Sequence, residues 1–249
     1  MNQLLRFIGP KNTVGRDTKS LGDFYTVRVP EDHSRGLCQA QWFFESALGL
    51  GLDLGEPGPL EMWITPEEES EGHKLAETVP GDGPLVVICP GSDRSTRRWF
   101  PSSFAQAGRL LKENFSARLV VAGAPSDEAM VDPVLKGFEG TGSSWMGKTS
   151  IGSLAAAIGK ADLLLCNNSL PMHLAAAVNT PCVVVAASGN IVLDRPLVEQ
   201  GKLSMLHKPL DCSPCYTWEC EREEKMLCME RISVEEVVAA ASKFLKKKS

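Results

Sequence analysis

No stretch of this 249-residue chain reaches the roughly 18 consecutive apolar residues that a membrane-spanning helix requires, so a transmembrane helix is not expected. The opening, MNQLLRFIGPKN, lacks an apolar signal core followed by a small-residue cleavage site, and the expected location is therefore cytoplasmic. Positive charge is also in short supply. A formal net charge of -5 argues against a general nucleic-acid binder, which would carry a concentrated basic face, and favours a small ligand recognised locally. The one basic run, Lys246-Lys247-Lys248, could touch anionic lipid at the inner face of a membrane or simply sit at the negative end of a helix. Internal repeats and low-complexity tracts are absent. What remains is ordinary for a globular protein: 43% hydrophobic and 23% charged residues, enough for one large domain or two modest ones.

From Pro84 onward, short β-rich apolar runs alternate with segments of helical period, which predicts an α/β fold, a parallel sheet with helices on both faces. Strands are expected at Leu85 to Cys89, Arg118 to Ala122, Ser144 to Met146, Asp162 to Cys166, Cys182 to Ala186 and Leu203 to Leu206. Helices are expected at about 102–114, 127–138, 150–160, 171–179 and 195–200, the first opened by a Ser103/Gln106 capping box. A last helix opens on a Ser233/Glu236 box and presents Val234, Val237, Val238, Ala241, Phe244 and Leu245 on one face. The first 80 residues break the rhythm. They hold a helix at about Leu37 to Leu48, a strand around Phe24 to Val29, and a Gly/Pro/Glu-rich stretch through His73 that reads as a linker carrying an edge strand. The organisation expected is thus the tail of one domain over 1–80 and a sheet domain over 81–249.

In an open α/β sheet, ligands bind beyond the carboxyl ends of the strands. The corner PGSDRSTRRW, Pro90 to Trp99, follows the run LVVIC and offers Gly91 for close backbone approach, the hydroxyls of Ser92, Ser95 and Thr96, and the cations Arg94, Arg97 and Arg98. That set suits a phosphate or, equally, a solvated loop. A second corner, NNSLPMH, places Pro171 in the first turn of a helix, whose unpaired N–H groups attract anions. Asn168 and Ser169 could cap that helix or bond a ligand hydroxyl, and His173 could reach a phosphate or pack. In a third corner, AGAPSDEAM, Asp127 and Glu128 begin a helix, where the dipole stabilises carboxylates with or without a ligand.

The order of these motifs resembles glycosyltransferase family 9, the ADP-heptose:lipopolysaccharide heptosyltransferases. The likeness runs through CPGSDRSTRRWFPSSFAQAGRLL, LVVAGAPSDE, MGKTSIGSLAAAIGKADLLLCNNSLPMHLAAAVNTPCVVV and CSPCYTWEC, within residues 82–245. It implies the second Rossmann-like half of a two-domain (GT-B) inverting transferase that needs no metal or other cofactor, with an ADP-heptose-like nucleotide sugar as donor and a lipopolysaccharide core as acceptor. DHSRG and FFESALGLGL, within residues 20–62, look like the last part of that family's acceptor-side domain. Carried over, the match puts Ser92 at the phosphates and Arg97, in a pattern that usually reads K-x-W, at the departing diphosphate. Met146 and Gly147 fall by the adenine, Glu128 near the ribose, and His173 with Asn168, Ser169 and Leu170 at the diphosphate end.

The family pattern D-[ST]-G-P-x-H reads Asn168-Ser169-Leu170-Pro171-Met172-His173 here. Asparagine loses the carboxylate charge, and leucine for glycine disfavours positive φ. The family's general base, an aspartate beside a glycine-rich turn early in the front domain, has no counterpart in residues 1–80. An alternative is therefore a nucleotide-sugar-binding module without turnover; a third reading is a transferase or epimerase for UDP-sugars. Of eight cysteines, Cys38, Cys89, Cys166 and Cys182 are scattered and expected to be structural. Cys212, Cys215, Cys220 and Cys228, spaced C-x2-C-x4-C-x7-C, could close a structural zinc site or form an unligated or redox-active set.

Overall fold

The computed structural model describes residues 9–17, 25–30 and 32–246. The chain divides into two compact units, Met1–Gly58 with Val192–Leu197, and Pro59–Ile191 with Val198–Ser249. The boundary expected near residue 80 therefore falls at 58.

In the first unit, strands β1 (Val14–Asp17) and β2 (Val27–Pro30) pair in parallel, and helix α1 (Gln39–Leu48) packs on β1. The strand expected around Phe24 to Val29 is found at Val27–Pro30; Phe24 is outside the described residues. Arg35 clamps Glu45 on α1 with two hydrogen bonds of 3.1 and 2.9 Å, which hold the Glu45 carboxyl below its ordinary range.

The second unit carries six parallel strands in the order β5-β4-β3-β6-β7-β8: β3 Leu85–Cys89, β4 Arg118–Val121, β5 Gly142–Ser144, β6 Leu163–Asn167, β7 Cys182–Val185 and β8 Leu203–Leu206. Alternate residues of the central strands feed two cores, as burial on both faces demands. Val86, Ile88, Leu163, Leu165, Val183 and Val185 meet α3 (Pro101–Phe115), α4 (Glu128–Gly137) and α7 (Val234–Ser242). Leu85, Val87, Leu164, Cys166 and Val184 meet α2 (Pro66–Glu77), α5 (Ile151–Gly159) and α6 (Leu170–Ala177). Cys38, Cys89, Cys166 and Cys182 are all buried, the last three within apolar strands.

Three expectations need correction. The stretch read as a linker with an edge strand forms no strand between 49 and 65, and its last part is α2: Thr65 caps the helix, accepting from the Glu68 N–H at 3.2 Å, with Pro66 in the first turn. Helix α2 approaches α5 so closely that a Cβ on Gly72 would stand 2.5 Å from the Ser153 carbonyl oxygen. The helix expected at 195–200 does not form; a single turn, Ile191–Asp194, precedes Pro196, whose ring disfavours helix in the residue before it. Finally, α3 starts at Pro101, which suits the first helical position, so Ser103 lies inside the helix instead of capping it. The Ser233/Glu236 box forms as read, with reciprocal bonds of 3.0 and 3.1 Å.

Candidate functional site

The strand order reverses between β3 and β6, and in open α/β sheets the crevice outside the carboxyl ends of the strands at such a switch point is where ligands bind. The two polar corners singled out above are the ones that flank it: Pro90 to Trp99 follows β3, and Asn168 to Pro171 follows β6.

The corners are tied to each other. Asn167, fully buried at the end of β6, donates from Nδ2 to the Pro90 carbonyl at 2.7 Å and accepts at Oδ1 from the Trp99 N–H at 3.0 Å. One amide thus holds the first and last residues of the β3 corner. Ser169 Oγ donates to the Gly91 carbonyl at 3.3 Å, and within the corner Arg98 Nε donates to the Ser92 carbonyl at 2.8 Å. Beneath it, burial pushes the Cys89 thiol well above its ordinary range, with Cys166 and Asp127 adding to the effect, so the floor of the corner is uncharged.

The neighbouring corners are laced in turn. A Cβ on Gly91 would stand 2.5 Å from the Asp127 carboxyl carbon, so the missing side chain makes room for this carboxylate. Asp127 also accepts from the Ala124 N–H at 3.0 Å. Gly147, at φ +67°, donates its N–H to the Gly123 carbonyl at 3.0 Å and so joins the β5 corner to the β4 corner. Strand β5 ends two residues earlier than expected, which leaves Met146 and Gly147 in the corner itself. Glu128 is the exposed first residue of α4. All the proposed donor-site residues, Ser92, Arg97, Glu128, Met146, Gly147, Asn168, Ser169, Leu170 and His173, therefore lie at the carboxyl edge of one sheet, in four adjacent corners.

Helix α6 begins at Leu170, with Pro171 in its first turn, and Ser169 at its cap makes no side-chain capping bond. Leu170 needs no positive φ, since it is not among the left-handed residues, and its side chain is half exposed. Asn168 is buried, and its N–H donates to the Val185 carbonyl at 3.2 Å, extending the β6–β7 ladder. His173 is partly buried, one turn into α6.

Several groups read as phosphate ligands serve another purpose. Arg94 Nη1 donates to the Tyr216 carbonyl at 2.9 Å, Thr96 Oγ1 to the Thr217 carbonyl at 2.8 Å, and Ser95 Oγ to the Trp218 carbonyl. The Arg94 guanidinium also lies 5.4 Å over the Trp218 ring. These bonds strap the cysteine-containing loop onto the β3 corner, in which Ser92 and Arg97 are the residues that the family likeness puts at the phosphates. Loop and corner together wall a cavity of about 370 Å³ beside Arg98 and Trp99.

Of the two readings left open by the cysteine spacing, the structural zinc site is not supported. Among the described residues no three His, Cys, Asp or Glu side chains are placed to hold a metal ion. The thiols instead have separate partners: Cys215 Sγ contacts Thr217 Oγ1 at 2.9 Å, Cys220 Sγ accepts from the Met226 N–H at 3.4 Å, and Arg222 lies by Cys212 at 3.9 Å. Cys228 is buried, which raises its pKa. The sequence reading placed Asn167 in the polar corner but gave it no role of its own; the available signal was a polar residue ending LLLCN, a run otherwise apolar enough to be buried on both faces.

The family model for glycosyltransferase family 9 (heptosyltransferase) matches residues 14–226. Lipooligosaccharide heptosyltransferase 2 of Campylobacter jejuni is 26% identical over 234 residues, covering 92% of this chain and 69% of the relative. Lipopolysaccharide heptosyltransferase 3 of Escherichia coli is 28% identical over 171 residues, covering 64% of this chain and 46% of the relative. The structure of the E. coli ADP-heptose lps heptosyltransferase II superposes with a TM-score of 0.74 at 16% identity, over 98% of this chain and 72% of that one, which shows a shared fold. No helix among the described residues is long and apolar enough to cross a membrane. With a family match across most of its length, laid over a sheet whose polar corners meet at the switch point, this chain belongs to glycosyltransferase family 9, the heptosyltransferase family.

Proposed function

We propose that the protein transfers a heptose or related sugar from an ADP-linked donor to a lipopolysaccharide-core acceptor, with inversion, and that the second unit carries the donor site. In that reaction the acceptor hydroxyl oxygen bonds to the anomeric carbon. The bond from that carbon to the diphosphate breaks, its electron pair leaves with ADP, and the hydroxyl proton passes to a base not identified among these residues. Arg97 offsets the charge that grows on the departing diphosphate, an interaction stronger in the transition state than in the ground state. Ser92 and the N–H groups at the start of α6 hold the phosphates, with His173 and Ser169 beside them. Met146 and Gly147 flank the adenine, and Glu128 accepts from ribose hydroxyls. A nucleotide-sugar donor places the work at the cytoplasmic face of the membrane, where Lys246 to Lys248 would meet anionic lipid; Lys247 and Lys248 lie outside the described residues.

The observation that carries this reading is the pairing of the Ser92/Arg97 corner with the start of α6 across the switch point. Calorimetric titration tests it: ADP binds more tightly than UDP, and Arg97→Ala weakens ADP by about tenfold or more, while Arg97→Lys retains most of the affinity. Equal affinity for UDP, or an Arg97→Ala protein that binds ADP normally, removes it. Asn168, neutral where the family has a carboxylate, favours a second reading, a donor-binding module without turnover. ADP release from ADP-heptose in the presence of a core acceptor decides between the two.

A further inference from the structure

We infer that Asn167 is the positioning residue that sets the spacing between the two diphosphate-binding corners, so that grip on a diphosphate, more than on a nucleoside monophosphate, depends on its side-chain amide. The inference rests on the donor-site reading above and adds to it a residue that neither the motif nor the chemistry of the ligand points to.

The geometry leaves this amide little freedom. Asn167 is fully buried, and both ends of its side chain are spent on backbone groups of another corner, Pro90 oxygen at 2.7 Å and Trp99 nitrogen at 3.0 Å. Those two groups open and close the ten-residue segment that contains Ser92 and Arg97. Trp99 itself is buried edge-on against Phe104, with ring centres 5.1 Å apart, so the far end of the segment is anchored in the core as well as to Asn167. On the other side Asn167 is the last ladder residue of β6, paired with Val185, and Ser169 and Leu170 at the mouth of α6 stand two and three residues on. The amide therefore fixes one corner directly and is joined to the other by two peptide units. Asparagine provides a donor and an acceptor at this length without titrating; aspartate matches its length but donates only when protonated, and glutamine is longer by one methylene. Loss of both bonds leaves a carbonyl and an N–H unsatisfied in the interior, and the corner must shift to find water for them. A shift of that kind separates Ser92 and Arg97 from the start of α6. A diphosphate that spans both corners loses contacts; a monophosphate held at one corner does not.

The test compares ADP and AMP on the intact chain by calorimetry, with thermal melting alongside. In Asn167→Leu, ADP affinity falls by about tenfold or more while AMP affinity changes by less than about threefold, so the ADP-to-AMP preference collapses. A variant that melts cooperatively and keeps the wild-type preference overturns the inference, because a purely structural role lowers the melting temperature without touching that ratio. Hydrogen exchange on the wild type provides an independent arm should the variant fail to fold. Protection of segments 90–99 and 167–173 at the same ADP concentration supports the coupling, and protection of one without the other overturns it. A wild-type protein that ignores ADP removes the donor reading and this inference together, whereas normal ADP binding with an unchanged preference in the variant removes only the inference.

Discussion

Leu170 illustrates how a substitution read from a motif changes meaning once the backbone is known. The family's glycine suggested a position in need of positive φ, but here the residue is the first of a regular helix, and its side chain points partly to solvent. Asn168 is the departure with chemical content, since an amide can hold a hydroxyl yet brings no charge. The hydroxyls and guanidinium of Ser95, Thr96 and Arg94 were legible as polar groups but not by destination: phosphate oxygens and peptide carbonyls accept from the same donors, and only proximity to residues 216–218, more than a hundred positions away, chooses between them. His207 supports a prediction at this scale. Burial lowers its pKa below the ordinary 6.5, opposed by a hydrogen bond to the Gly189 backbone, and its Nε2 is buried without a partner. The unfolded chain takes up a proton on this ring at a pH where the folded protein does not. The stability His207 contributes is therefore complete above about pH 6.5 and is lost as pH falls through the lower folded value. The melting temperature should drop as pH falls below about 6.5, and His207→Gln, which cannot charge, should flatten that part of the curve. A slope unaltered by the substitution would show that other groups set it.

At the scale of elements, the periodic parts of the sequence were well determined. LVVIC, LLLCN and CVVV are short, continuously apolar runs that a sheet covered on both faces buries as strands, and α7 docks through the valines its spacing aligned. The missed element is α2, because glutamate-rich composition hid the Thr65/Glu68 signal and because the partner that makes the helix worthwhile, α5, lies some eighty residues further on. Glu68 serves both helices. One carboxylate oxygen accepts from the Thr65 N–H at 3.2 Å and the other from Ser150 Oγ, the cap of α5, at 3.0 Å. Glu68→Ala is expected to cost about 1–2 kcal/mol, read as a lower denaturant midpoint with an unchanged slope. Glu68→Gln should lose less, as its amide oxygen can still serve one of the two donors.

For the whole molecule, every proposed donor-site residue lies in the second unit, and the chain leading into it, residues 49–56, is exposed and without regular structure. Brief digestion with thermolysin should cut first before Leu50, Leu52 or Leu54, each about half exposed, and the large product should bind ADP with nearly the affinity of the intact chain. A first cut within residues 59–249, or loss of ADP binding on cleavage near residue 52, would contradict this. The sequence by itself determined the class of fold and the identity of the loaded corners, because hydrophobic periodicity and helix-start chemistry are local and leave a local record. Only the tertiary structure decided which corners face each other, that Gly91 yields to Asp127, that the cysteine loop is strapped to the β3 corner and that Asn167 holds both ends of that corner. Those contacts join residues up to 123 positions apart, and a hydrogen bond between such distant groups leaves no pattern along the chain until the sheet has set them side by side.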